Sequence, residues 1–145
     1  MANKELVINN PTMNLEQKTI RLLGCVAQEF QAKYIKALAP LGLSPLQTNI
    51  LHVLDYGPKE GLTVNQIKKL QIEESPNISR ALNKLMDKGF IIKNRNSPDQ
   101  RVVQIQITED GRVLHEKADE LTASLLQLDL SENEMETLYG ILRRL

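Results

Sequence analysis

Residues 75–112, SPNISRALNKLMDKGFIIKNRNSPDQRVVQIQITEDGR, contain one helical pattern followed directly by two strand patterns. Ser75-Pro76 is a helix start signal, because Ser caps exposed amide groups and Pro suits the first helical position. Apolar residues then recur on one side of the predicted helix at Ile78, Leu82, Leu85 and Met86. Lys88 and Gly89 are typical of a helix end, since a basic last turn and a glycine both favour termination. The stretch therefore opens with one short amphipathic helix.

The rest of this stretch changes to the two-residue period of a strand. Phe90-Ile91-Ile92 begins a short strand, and Val103 to Ile107 alternates apolar and polar residues, as a half-solvated antiparallel strand does. Turn-forming residues, including Ser97-Pro98-Asp99, fill the segment between them. The pattern predicts a β-hairpin whose tip is residues 94–100.

Two helices are predicted upstream of this stretch. Ser44-Pro45 gives a second start signal, and the helix after it stops near Gly57-Pro58. Thr63 stands in the cap position of a short helix from Val64 to Leu70. The short helix from Val64 to Leu70, the helix that starts at Ser75 and the hairpin directly after it together have the pattern of a winged helix-turn-helix. We place this unit at residues 43–112.

Long apolar stripes flank this unit on both sides. The stripe before it comprises Ile20, Leu23, Ala27, Phe30, Tyr34 and Leu38, and the stripe after it comprises Val113, Leu114, Ala118, Leu121, Leu125 and Leu128. A last helix is predicted to start at Ser131. The chain is therefore predicted to be a single domain, residues 1–145, that is mainly α with a small antiparallel β-hairpin wing (α+β) between long N- and C-terminal helices.

Net charge is zero, with 18 basic and 18 acidic residues, which argues mildly against a nucleic-acid-binding protein. The local distribution is different. From Ser75 to Arg101 there are six basic residues, opposed only by Asp87 and Asp99. Screening limits electrostatic interactions to about 8–10 Å at physiological salt, so a phosphate responds to this local field.

In a winged helix-turn-helix the second helix of the pair can lie in the major groove of DNA, with its N-terminal and outward residues facing base edges. The residues predicted to read bases are Asn77, Ser79, Arg80 and Asn83. The residues predicted to contact phosphates are Lys84, Lys93 and Arg95 by charge, and Thr63, Gln66 and Ser75 by neutral hydrogen bonds. The alternative for each of them is a place on an ordinary solvated surface.

The segment from Leu43 to Arg112 resembles the DNA-binding lobe of the MarR family of transcriptional regulators. The resemblance lies in LSPLQTNILHVL, LTVNQIKKL, SPNISRALNKLMDKGFIIKNRN and, above all, SPDQRVVQIQITEDGR. The family's wing carries Asp-x-Arg, an alternating strand and Leu-Thr-x-x-Gly, and Ile107 here replaces that Leu. The resemblance implies that Arg101 enters the minor groove from the wing while Asp99 orients its guanidinium.

The same resemblance implies partners. It implies a homodimer joined through residues 12–40 and 113–145, acting on double-stranded DNA at a pseudo-palindromic operator, more often as a repressor than as an activator. It also implies a small apolar or phenolic effector bound between the dimer helices and the DNA-binding lobe. Phe30, Tyr34 and Leu46 are the candidate lining of that pocket.

Other functions have less support in the sequence. No cofactor and no metal site are expected, because Cys25 is alone and His52 and His115 lie on different predicted helices. Cys25 is either a small packed residue or a redox sensor. No signal peptide or membrane span is apparent, so a cytoplasmic protein without a membrane partner is expected. An enzyme is not expected, and the main alternative is a winged-helix protein-interaction module without a DNA role.

Overall fold

The computed structural model describes residues 2–71, 76–95, 102–125 and 127–145. It consists of seven α-helices and three short β-strands within these ranges. The helices are α1 (Ala2–Ile8), α2 (Leu15–Leu38), α3 (Pro45–Asp55), α4 (Val64–Lys69), α5 (Ile78–Asp87), α6 (Glu109–Leu125) and α7 (Glu132–Leu142). The strands are β1 (Leu62–Thr63), β2 (Ile91–Asn94) and β3 (Gln104–Ile107). The predicted mainly helical fold with a small antiparallel sheet is confirmed.

Four helices begin with a reciprocal capping box. The N-cap residues are Asn14 for α2, Ser44 for α3, Thr63 for α4 and Ser131 for α7. In each box the cap side chain accepts a hydrogen bond from the third helical residue's amide, and that residue's side chain accepts one from the cap amide. The starts predicted at Ser44, Thr63 and Ser131 are therefore confirmed.

The buried core lies in the winged helix-turn-helix. It brings together aliphatic side chains from α3, α4, α5 and the sheet: Ile50, Leu51, Leu54, Leu62, Ile67, Ile78, Leu82, Leu85, Ile91 and Ile105. Leu38 from the end of α2 and Ala118 from α6 also belong to it. The long helices on either side of the lobe are thus both packed into its core.

The sheet has three strands in the order β1-β3-β2, whereas the sequence predicted only the β2–β3 hairpin. β1 pairs antiparallel with β3, with Leu62 opposite Ile105. Gly61 permits this approach, because a Cβ at that position would stand 2.2 Å from the carbonyl oxygen of Ile105. The third strand fixes the start of α4 to the base of the wing.

The N-terminal segment forms α1, a helix that the sequence pattern did not predict. This helix packs along α2, where Lys4 Nζ lies 2.5 Å from a carboxylate oxygen of Glu29. Lys18 Nζ donates to the carbonyl oxygen of Ile8 at 2.8 Å and so binds the end of α1. The Lys4 hydrogen bond also lowers the pKa of Glu29.

Apolar exposure is concentrated in the terminal helices. Nineteen large hydrophobic residues are exposed in the described part of the chain, and only Tyr56, Leu70 and Ile92 of these lie within residues 43–112. The predicted stripe of α2 is exposed over its first half, with Ile20 at 64% and Leu23 at 48% exposure. None of the described helices is both long and apolar enough to cross a bilayer.

Candidate nucleic-acid interface

Helix α5 has a buried face and a polar outer face. Ile78, Ala81, Leu82 and Leu85 are buried against the core. The α5 outer face consists of Ser79, Arg80, Asn83, Lys84 and Asp87, all exposed. Four of the residues predicted to contact DNA therefore share one accessible side of the helix that follows the turn.

The start of α5 differs from the prediction. The helix begins at Ile78 with Asn77 as N-cap, and the Asn77 side chain makes no capping hydrogen bond. Pro76 lies in the turn that precedes the helix, and Ser75, the predicted cap, lies outside the described residues. Asn77 is exposed at the N-terminal end of α5. The first amide groups of a helix have no hydrogen-bond acceptor within that helix, and they give its N-terminus a partial positive charge.

Thr63 and Gln66 form reciprocal hydrogen bonds at the start of α4. Gln66 Oε1 accepts from the Thr63 amide at 2.8 Å and from the Thr63 hydroxyl at 3.1 Å. The Gln66 amide in turn donates to Thr63 Oγ1 at 3.2 Å. The side-chain oxygen of Gln66 accepts the hydrogen bonds of the cap, and an amide oxygen cannot donate. The Nε2 amino group of this exposed residue is therefore the group able to donate a hydrogen bond to a phosphate.

The described part of the wing carries two of the predicted phosphate contacts. Lys93 lies on β2, opposite Ile105 of β3, and Arg95 follows the end of β2. Both residues are exposed. Asp99 and Arg101, the wing-tip pair, lie outside the described residues.

The four cations of this surface, Arg80, Lys84, Lys93 and Arg95, make no ion pair with another residue that the structure describes. Asp87, at the end of α5, is the only acid in the described range 76–95. Cations without an acidic partner among the described residues contribute a local positive field, which is what a phosphate backbone requires. The geometry therefore combines a groove-sized helix with positive charge beside it.

Of the three residues predicted to line an effector pocket, Phe30 and Tyr34 belong to α2 and Leu46 belongs to α3. Tyr34 and Leu46 are half-buried and pack against the core, and Phe30 is half-buried. Burial raises the pKa of Tyr34, and its hydrogen bond with Thr48 opposes that effect. A cleft of about 410 Å³ lies elsewhere, between α1 and α2, with Cys25 and Arg21 in its lining. The pocket at Phe30, Tyr34 and Leu46 stays a prediction.

Sequence reasoning missed a cluster of titratable side chains between α3 and α6. It treated His52 and His115 as scattered, but His52 Nδ1 lies 3.2 Å from His115 Nε2. It also found no acid at ligand spacing, although Asp119 is four residues after His115 and its carboxylate is 3.6 Å from His115 Nε2. The i,i+4 spacing was the available signal, because such residues share one side of a helix.

A family model described as transcriptional regulator SarA/Rot matches residues 33–118. The chain belongs to this SarA/Rot family. The organic hydroperoxide resistance transcriptional regulator of Bacillus subtilis is 30% identical over 122 residues, which is 84% of this chain and 82% of that protein. The HTH-type transcriptional regulator YdcH of the same organism is 38% identical over 93 residues, 62% of this chain and 63% of that one.

Solved structures share the fold of this SarA/Rot protein. Apo MarR of Escherichia coli superposes with a TM-score of 0.72 at 24% identity, covering 91% of this chain and 96% of MarR. CouR of Rhodococcus jostii, bound to p-coumaroyl-CoA, superposes with a TM-score of 0.75 at 19% identity, covering 91% and 94%. The predicted MarR resemblance is confirmed, and the protein is a DNA-binding transcription regulator.

Proposed function

We propose that the protein is a homodimeric repressor that binds a pseudo-palindromic operator through α5 and the wing. The observation that carries this proposal is the exposed set of cations on the α5 outer face and on β2, which pair with no acid in the described part of the chain. In this role Asn77, Ser79, Arg80 and Asn83 contact base edges, since Arg and Asn can each make two hydrogen bonds to a base. The protein acts by binding alone, without a chemical step.

The remaining contacts are assigned to the phosphate backbone, which positions the protein without reading sequence. They are Lys84, Lys93 and Arg95 by charge, and Thr63, Gln66 and Ser75 by neutral hydrogen bonds. We assign Arg101 to the minor groove, with Asp99 orienting its guanidinium. Since both residues belong to the wing, this contact would lie outside the major-groove contact of α5 on each half-site.

The dimer is supported by the apolar surface of the terminal helices. Residues 12–40 and 113–145 carry exposed side chains such as Ile20, Leu23, Leu125 and Ile141. Two copies joined there would present their α5 helices about 34 Å apart, one turn of DNA, as a two-fold operator requires. Isologous pairing of this kind is the commonest way for a soluble chain to bury such a surface.

Regulation is proposed to act through the spacing of the two α5 helices. An effector that prefers a dimer with another spacing shifts the population away from the DNA-binding state. CouR, which shares the fold, was solved with p-coumaroyl-CoA bound, and a small apolar or phenolic molecule is the effector class proposed here. Because its target is DNA, we place the protein in the cytoplasm.

The proposal is tested by selecting bound duplexes from a random pool and titrating the recovered site. We expect a site with two-fold symmetry and an affinity that falls steeply with salt, by about 0.9 log units per log unit of salt for each phosphate neutralised. Arg101→Ala should weaken binding to every duplex. Recovery of no enriched sequence, together with a salt-independent affinity, would refute DNA recognition and favour a protein-interaction module.

A further inference from the structure

A histidine pair, His52 and His115, joins α3 to α6. His115 is buried, with 1% exposure, and its Nδ1 lies 2.8 Å from Asp55 Oδ2. A carboxylate oxygen can only accept a hydrogen bond, so His115 Nδ1 carries the hydrogen and donates a hydrogen bond to Asp55. The other nitrogen, Nε2, then presents its lone pair toward His52 and Asp119.

Three ligand-type atoms converge on one point at this junction. They are His52 Nδ1, His115 Nε2 and a carboxylate oxygen of Asp119, and all lie within 4.8 Å of one another. Two nitrogen ligands of a tetrahedral zinc ion, each bonded at ~2.0–2.1 Å, are about 3.3 Å apart. The observed separations of 3.2 Å between the imidazoles and 3.6 Å from His115 to Asp119 are close to that value.

From this geometry we propose that His52, His115 and Asp119 bind a divalent transition-metal ion of the zinc type. Asp55 is the outer-shell partner, because its hydrogen bond fixes the His115 tautomer and makes Nε2 the ligand nitrogen. His52 contributes Nδ1 by holding its proton on Nε2. The fourth position is left to a water molecule.

The surroundings suit a cation that arrives from solvent. Asp55 and Asp119 bring two negative charges, while Arg112 pairs with Asp55 and brings one positive charge. His52 is exposed and the Asp119 side chain is 51% exposed, so the ion has an entry path and Asp119 has room to rotate inward. Two imidazoles with one carboxylate favour zinc, copper or nickel over magnesium or calcium.

The site would add a metal link between two helices that already meet through packing and through the bonds of Asp55 to Arg112 and His115. His52 and Asp55 belong to α3 of the DNA-binding lobe, and His115 and Asp119 belong to α6 of the terminal region. An ion that bonds to both helices favours the arrangement in which they meet. The inference concerns binding at this cluster and does not depend on the proposed operator or effector.

The test uses the full chain without a polyhistidine tag and Co²⁺ as a spectroscopic probe for zinc. We expect one Co²⁺ per chain with the intense visible absorption of a tetrahedral ion, and we expect Zn²⁺ to displace it. Zn²⁺ should also raise the melting temperature, because a ligand that binds only the folded state stabilises it. The chain has only two histidines, so the imidazole ligands are unambiguous.

The decisive variants are His52→Gln and Asp119→Asn, both at accessible positions where folding is little affected. Each should weaken metal binding by at least about tenfold. Glu120→Gln is the matched control, since it removes the same charge from the neighbouring residue of α6, and Cys25→Ser controls for thiolate binding. Both controls should bind as the parent protein does.

Three results would overturn the inference. The first is a parent protein that gives no tetrahedral Co²⁺ spectrum, which would leave the 3.2 Å contact as an ordinary hydrogen bond from His52 to His115. The second is unchanged affinity in both His52→Gln and Asp119→Asn. The third is loss of binding in Cys25→Ser alone, which would place the ion on the thiolate.

Discussion

Arg80 and Lys84 lie four residues apart on the α5 outer face, and their chemistry gives them different proposed roles. The planar guanidinium of Arg80 can bond a guanine edge at two points, whereas the ammonium of Lys84 acts as a point charge. We expect Arg80→Ala to cost about 1–3 kcal/mol on the selected operator and much less on unrelated DNA. Lys84→Ala should weaken both duplexes equally and lower the salt slope by about 1.

Mobility-shift titrations on operator and scrambled DNA at several salt concentrations separate these outcomes. Lys36→Ala is the control, because this exposed lysine of α2 lies outside the proposed surface. If Arg80→Ala and Lys84→Ala both reduced affinity without changing sequence preference, α5 would be a backbone-binding helix and base reading would have to come from elsewhere.

Gly111 lies in the first turn of α6, directly after strand β3, at a position where neighbouring atoms leave no room for a Cβ. A Cβ at this position would stand 2.2 Å from the carbonyl oxygen of Phe90 and 2.8 Å from Ile107 Cγ1. We therefore expect Gly111→Ala to lower the free energy of unfolding by about 1–3 kcal/mol, as overpacking does. Gly140→Ala on α7 is the matched control, since apart from its chain neighbours and the nearby backbone of α7 no described atom lies within 4 Å of its Cβ position, and alanine favours a helix by up to about 1 kcal/mol.

Urea denaturation of the two glycine variants measures this difference directly. A Gly111→Ala protein as stable as the Gly140→Ala protein would mean that the backbone between β3 and α6 shifts to admit a methyl group. The close packing of Phe90 against the start of α6 would then not be a fixed feature of the fold.

At the scale of elements, the helices that the sequence predicted are those with a local start signal or a long apolar stripe. Ser44, Thr63 and Ser131 each cap the start of a helix, and each is hydrogen-bonded to the residue three positions later in the sequence. β1 was missed because two residues cannot display a two-residue period, and its partner β3 lies about forty positions away. α1 was missed because seven residues form a stable helix only through packing, here against α2.

The cap of α3 gives an element-scale prediction. The Gln47 amide donates to Ser44 Oγ at 3.2 Å, and the Ser44 amide donates to Gln47 Oε1 at 2.9 Å. Ser44→Ala removes the first bond and should lower the free energy of unfolding by about 1 kcal/mol, whereas Ser44→Asp keeps a cap acceptor and should retain most of it. Thermal unfolding of both variants checks this, and an equal loss in the two would mean that the cap acceptor contributes nothing.

At the scale of the whole molecule, the sequence predicted which side of α5 is exposed better than it predicted which surfaces meet. The outward residues of α5 follow from helical period alone, because one face is apolar and must be buried. The contact between His52 and His115 could not be read the same way, since they are 63 residues apart and only the packing of α3 on α6 brings them together. Non-local contacts of this kind have no periodic signal.

The exposed half of the α2 stripe supplies the last prediction, which concerns assembly. Leu23 is 48% exposed in the single chain, and in the proposed dimer it faces the partner. In the dimer, Leu23→Glu would place a charge in the buried interface, whereas in the monomer the same charge would stay in water. We therefore expect the dimer to dissociate while each chain keeps its fold. Because two linked half-sites raise affinity by about 10²–10⁴ over one, operator binding should fall by at least about 100-fold.

The control for this variant is a glutamate on the other side of the same helix. Ala32 is exposed and lies nine residues after Leu23, which at about 3.6 residues per turn places it on the opposite side of α2. Ala32→Glu adds the same charge and should change neither the oligomeric state nor the affinity for the operator. Sedimentation velocity and operator titration measure both properties. A Leu23→Glu protein that stayed dimeric with parental affinity would show that the two copies associate through another surface, since the charge at residue 23 would then lie outside the interface.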